Sequence, residues 1–179
     1  MESHLKTQQC LLVIDTDALM QRVPNPSQKQ TAPTALPDGV AFMIQNASPK
    51  AAGSFLALDG DFEMNCRIGS ILFFRSLTIT QNSSDAALIY AVLPGNLTKP
   101  GLGQIQLTTL PEAVEPDPTQ MDGLPPLNVE QTFSAMKGFF LRKGVTNVLV
   151  GLAVYQLDGR GERQEPWGYF SLKIPVNVL

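Results

Sequence analysis

The sequence predicts an all-β fold: a single-domain antiparallel β-sandwich, jelly-roll-like, with long Pro-rich loops and at most one or two short helices. Three observations carry this. Apolar residues recur with period two, as in "FEMNCRI", where Phe62, Met64, Cys66 and Ile68 alternate with Glu63, Asn65 and Arg67. Short apolar runs are separated by Gly, Pro and Asx turns. No segment offers three turns of amphipathic helix.

In chain order, the reading places a disordered tail over residues 1–10 and one domain over 11–179. Leu11–Asp15 is the first strand, and Asp15 to Arg22 suits about two helical turns with Asp15 or Thr16 as cap. Strands follow at Val40–Gln45 and Ser54–Leu58. "FEMNCRI", "ILFFRSLTIT" and "AALIYAVL" read as a three-stranded antiparallel meander with turns at Gly69-Ser70 and "NSSD". Gln104–Thr109, Gly138–Arg142, Val145–Leu157 and Tyr169–Val178 complete the set. "VTNVLVGLAVYQL" is apolar on both faces and belongs at the centre of a sheet. Gly151 within it marks a bulge or a close backbone approach. Long loops are expected at Pro24–Gly39, Pro94–Gly103 and Pro111–Asn128; the last, "PEAVEPDPTQMDGLPP", cannot be a central strand because proline lacks the ladder donor.

The chain has 179 residues, 44% hydrophobic and only 16% charged, with a net charge of −3. So little charge leaves apolar patches, which favours contact with a second copy. The 13 basic residues are scattered, with only Arg142-Lys143 adjacent, which argues against nucleic acid. Two cysteines, Cys10 and Cys66, suit free thiols in a reducing compartment, with a single Cys10–Cys66 bridge as the alternative. No apolar run reaches the ~20 residues of a membrane helix, and the N-terminus lacks a secretory signal pattern, so the expected location is cytoplasmic.

The only histidine, His4, falls in the tail, so no Ser-His-Asp or Cys-His site can be built on a positioned base. Zinc ligation and Gly-rich phosphate binding lack their residues as well. No catalytic residue and no cofactor is predicted. The most suggestive polar pair is Asp15 and Asp17 in "LLVIDTDALM". The first reading is structural: a carboxylate capping the amines where strand turns into helix. The alternative is calcium, with Asp15 and Asp17 joined by Asp117 and Asp122 from the acidic loop. Trp167 and Tyr169 in "EPWGYF" are either core or a stacking platform for a sugar ring. A carbohydrate-binding module would then use Asp15, Asp17, Asp117, Trp167 and Tyr169. Against it stands function by self-association, as a homo-oligomer and most simply a dimer. Glu162, Arg163 and Glu165 read as a solvated hairpin end.

The order of motifs carries a resemblance. "VIDTD" is followed by "PNPSQ", "FMI", "GSILFFRSLTITQNSSDAALIYAV", "VEPDP", "GLPP", "RKGVTNVLVGLAVYQLDG" and "GYF". The series, running from Leu11 to Val178, resembles the AidA/PixA family of bacterial inclusion body proteins. It departs from the family pattern at Val23, where an aromatic is usual, and at Ser171-Leu172-Lys173, where the family tends to continue "WDP". The resemblance implies a small cytoplasmic bacterial β-sandwich without a hallmark enzymatic activity. It further implies collection in inclusions in some members, and quorum-sensing control and host interaction in others.

Overall fold

The computed structural model describes residues 7–45, 55–57, 64–95 and 106–179. Among these residues, eleven strands form two sheets, and one short helix accompanies them. They are β1 Thr7–Ile14, α1 Thr16–Arg22, β2 Thr34–Ala35, β3 Ala41–Gln45, β4 Phe55–Ala57, β5 Met64–Cys66, β6 Ile71–Thr78, β7 Ala86–Pro94, β8 Gln106–Glu115, β9 Leu127–Phe139, β10 Gly144–Leu157 and β11 Gln164–Val178. One sheet has the order β4-β3-β1-β6-β9-β8 and the other β2-β11-β10-β7, with β5 also pairing to β11. Inward side chains of both sheets, among them Leu12, Phe74, Val150, Phe170 and Ile174, meet in one core.

Among the described residues the fold is all-β with a single short helix, in keeping with the period-two pattern. The expectation of purely antiparallel sheets is corrected: β1–β6, β2–β11 and β5–β11 pair in parallel. Parallel neighbours need long connections, and the chain between β1 and β6 supplies one. The expected meander is also corrected. β6 joins the first sheet, whereas β5 and β7 join the second. Local alternation shows which face of a strand is buried but not which sheet it enters.

The tail expectation fails at its end, because β1 begins at Thr7 and pairs with β6 from Ile71 onward. The third loop is shorter than expected, since Pro111 lies inside β8. That is tolerated because β8 is an edge strand whose ladder to β9 shifts register around Leu110 and Ala113. Most of β9 was not foreseen: "LNVEQTFSAMKGF" has too few β-branched residues to announce a 13-residue strand. The expected loop at 96–103 lies outside the described residues.

β10 is central, between β11 and β7. Val150 to Val154 are buried without a break, as a two-sided apolar run requires. Gly151 does both things its position suggested. The β7 register shifts beside it, and a Cβ there would lie 2.6 Å from the Tyr90 ring. Tyr90 crosses this notch to meet Tyr169 edge-on at 5.7 Å, and its hydroxyl donates to the Gln30 carbonyl. The segment from "PNPSQ" to Gln30 is strapped to the sheet by this and two further contacts. Ser27 O accepts from Tyr169 N at 2.9 Å, and Pro26 packs where only Gly168 leaves room.

Cys10 and Cys66 are free and buried in the core. Burial, with Cys66 nearby, holds the Cys10 thiol far above its ordinary range, and burial pushes Cys66 up to about 12. Both are therefore neutral, apolar packing groups.

Gly151→Ala should destabilise the fold by ~1–3 kcal/mol, the usual cost of overpacking a filled site. Urea melts of the variant and wild type measure it. An unchanged midpoint would show that Tyr90 can leave the notch freely.

Candidate functional site

The strand register sorts the turns into two ends. Ile14, Thr78 and the β10–β11 hairpin turn lie at one end, because β1 and β6 run together and Gln164 of β11 reaches the 82–84 turn. Ala41 pairs with Ile14, and Glu115 with Leu127, which brings the 38–40 and 116–126 turns to the same end.

"VIDTD" sits here. β1 ends at Ile14, and Asp15 is the N-cap of α1, its carboxylate accepting from Ala18 N at 2.9 Å. Thr16 is buried and donates to the Asp85 carboxylate at 3.0 Å. Asp17 is exposed in the first helical turn, where an acid complements the helix dipole.

Next to this cap the chain crosses from sheet to sheet. Asn82, at φ 61°, accepts from both Thr78 N and Ala87 N. Ser76 donates to Ala87 O at 2.7 Å, and Thr78 Oγ1 to Asp85 O at 2.9 Å. Side chains of β6 thus satisfy the outward backbone groups at the start of edge strand β7.

The calcium set is not assembled. Asp117 accepts from Thr119 N and Oγ1, and Asp122 from Leu124 N, each within its own turn. Those Thr119 bonds hold the Asp117 carboxyl below the usual range. Among the described residues no group of three or more His, Cys, Asp or Glu could hold a metal ion. His4 lies outside the described residues.

Trp167 and Tyr169 do not share a platform. Trp167 stacks on the core residue Phe170, with centroids 5.6 Å apart, while Tyr169 turns to Tyr90. Trp167 instead walls a cleft of about 250 Å³ lined by Gln156, Leu157, Asp158, Gly159, Glu165 and Pro166. The hairpin builds it: Gln156 pairs with Glu165, and a bulge at Val154/Tyr155 re-aims the side chains beyond. Asp158 locks the turn by accepting from Glu162 N and Arg160 N, and these backbone donors hold its carboxyl below the usual range. Gln156 and Asp158 were missed as site residues. The signal was present in "QLDGRGERQEPW", where the turn dipeptide sets Gln156 opposite Glu165.

These features define an all-β protein whose polar residues at one end are largely spent on turns and caps. Comparison with known proteins places it. The family model for PixA, described as inclusion body protein, matches residues 6–178, and the chain belongs to that family. The crystal structure of an inclusion body protein of the same family from Burkholderia cenocepacia J2315 superposes with a TM-score of 0.76. The two chains are 23% identical, over 100% of this chain and 99% of that one, so the likeness speaks for the fold. No curated protein matches the chain. Among the described residues no helix is long and apolar enough to cross a membrane.

Two outcomes follow. Asp15→Ala should cost ~1 kcal/mol, within roughly 0.5–2, with Asp15→Asn milder because its amide oxygen still accepts. Thermal melts should show the same loss with calcium and with chelator; a calcium-dependent rise lost in both variants would restore the metal reading. Asp158 has a folded pKa below its unfolded value near ~3.9. Its stabilisation of the hairpin is therefore complete above that value and is lost as pH falls through the lower, folded pKa. Emission from Trp167, the single tryptophan, should shift over that acid range, and Asp158→Asn should remove the step.

Proposed function

We propose that this chain is a non-enzymatic, two-layer β-sandwich that works by self-association, with a symmetric dimer as its unit. The observation that carries the reading is the outward face of the six-stranded sheet. Leu12, Ile14, Ala41 and Met43 point into the core. Their alternates should face water and be polar. They are instead Leu11 and Val13 on β1, half-buried, and Phe42 and Ile44 on β3, each 38% exposed. Register aligns Phe42, Val13 and Leu77 in one apolar row and sets Ile44 beside Leu11, with the half-buried Arg75 next in that second row. An apolar field over three adjacent strands suits a matching field on a second copy.

Membership in a family described as inclusion body protein supports assembly as the working form. The same resemblance supports the wider proposal of a cytoplasmic bacterial protein under quorum-sensing control and engaged in host interaction. The carbohydrate-binding alternative lacks a shared aromatic platform and a gathered acid set.

Light scattering over a wide concentration range tests the reading. At about 1 M salt, where the charge screening length is only about 3 Å, wild type should reach the dimer mass, and Phe42→Asp with Ile44→Asp should leave folded monomers. A wild-type mass fixed at the monomer at every concentration would sink it.

A further inference from the structure

Among the described residues, the two ends of the protein differ in charge. The end described above presents the Trp167 cleft with Glu165 and Asp158 in its lining, and Glu162 and Asp85 lie close by. Arg160 and Arg163 are exposed in the same hairpin turn but do not line the cleft. β10 has 14 residues, so at about 3.3 Å per residue its other end lies roughly 45 Å away. There the turn before Gly144 exposes Arg142 and Lys143, the only adjacent basic pair in the chain. Arg67 joins them, because Gly69 N donates to Phe140 O and seats the 67–70 turn beside this corner. Among the described residues neither turn holds an acid. Leu141 and Val145, 52% and 77% exposed, give the basic corner an apolar flank.

We infer that the Arg142-Lys143 corner of one copy docks into the Trp167 cleft of the next. The complementarity is chemical as well as electrostatic. A guanidinium or ammonium meets carboxylates beside an indole, and cations are attracted both to the carboxylates and to an aromatic face. The aliphatic stems and Leu141 meet Leu157 and Pro166. Because donor corner and acceptor cleft sit at opposite ends, the contact is head-to-tail. Such contacts do not close on themselves unless a ring forms, and they propagate into chains. This rests on the self-association reading and adds to it. The sheet-face contact pairs two copies, and the end-to-end contact links pairs into an extended assembly.

The test uses two charge-reversed chains, Arg142→Glu with Lys143→Glu, and Glu162→Lys with Glu165→Lys. All four positions are exposed, so folding should be untouched. Sedimentation velocity of wild type at about 0.01 M salt should show species larger than a dimer. These should disperse at about 1 M, as the screening length falls from about 30 Å to about 3 Å. Each reversed chain alone should lose the large species. An equimolar mixture should regain them, since each reversed end then meets its opposite. Trp167 emission should shift with assembly in wild type and in the mixture, and in neither reversed chain alone. Large species that persist in either reversed chain, or a mixture that stays dispersed, would overturn the end-to-end contact. A wild type that stops at the dimer at every salt concentration would overturn it too and leave the sheet-face dimer standing. Salt-sensitive chains of monomers, restored by mixing, would uphold it and overturn the dimer. A monomer under all conditions would overturn both.

Discussion

The architecture depends on the corner where β6 hands over to β7. A strand leaving one sheet for another abandons its ladder, and its backbone groups need new partners. Here they come from three side chains. Asn82 accepts from Thr78 N and Ala87 N, Ser76 reaches Ala87 O, and Thr78 reaches Asp85 O. Thr78 and Ser76 are buried at positions that the alternation of β6 would otherwise fill with apolar groups. Polar side chains are tolerated there because their hydrogen bonds are made. The same bonds cover the exposed edge of β7 at its start, where unpaired backbone invites unwanted pairing.

The helix cap belongs to the same knot. Thr16 ties α1 to Asp85 in the corner, and Ile79 N donates to Ile14 O at the end of β1. Gln164 donates across to the Asn82, Ser83 and Ser84 carbonyls and brings the β10–β11 hairpin into register with it. The acids that look chemical in the sequence are therefore mostly structural. Asp15, Asp117, Asp122 and Asp158 each accept backbone hydrogens within a few residues. Outside these bonds stands the wall of the hairpin cleft, where Glu165 and the indole of Trp167 line the same space.

The opposite face of the molecule shows a second economy of design. Tyr90 lies across Gly151 to reach both Tyr169 and the Gln30 carbonyl. With Tyr169 N donating to Ser27 O and Pro26 packed at Gly168, this contact holds the segment from Pro24 to Gln30 against the five-stranded sheet. The six-stranded sheet shows no comparable strap among its described residues, and its outward face keeps Phe42 and Ile44 at the surface. One face is thus strapped by the protein's own chain, and the other keeps apolar side chains at the surface.

Much of the fold was legible from local pattern. Alternation marks the buried face of β1, β3 and β6, and the two-sided apolar run of β10 marks a central strand, because burial on one or both faces leaves its period in the sequence. The cap at Asp15 was legible because a cap and its amine lie three residues apart. Trp167 was legible only as an aromatic; that it walls a cleft while Tyr169 does not depends on a bulge and on cross-strand register. The sequence by itself thus determined the strands with clear alternation or a two-sided apolar run, the helix cap and family membership, all of which rest on neighbours close in the chain or on an ordered series of motifs. Tertiary structure alone decided the parallel pairing of β1 with β6, the change of sheet between β6 and β7, and which of the described charged residues share an end. Those depend on backbone partners many residues apart, and a period-two pattern is the same whichever strand lies alongside.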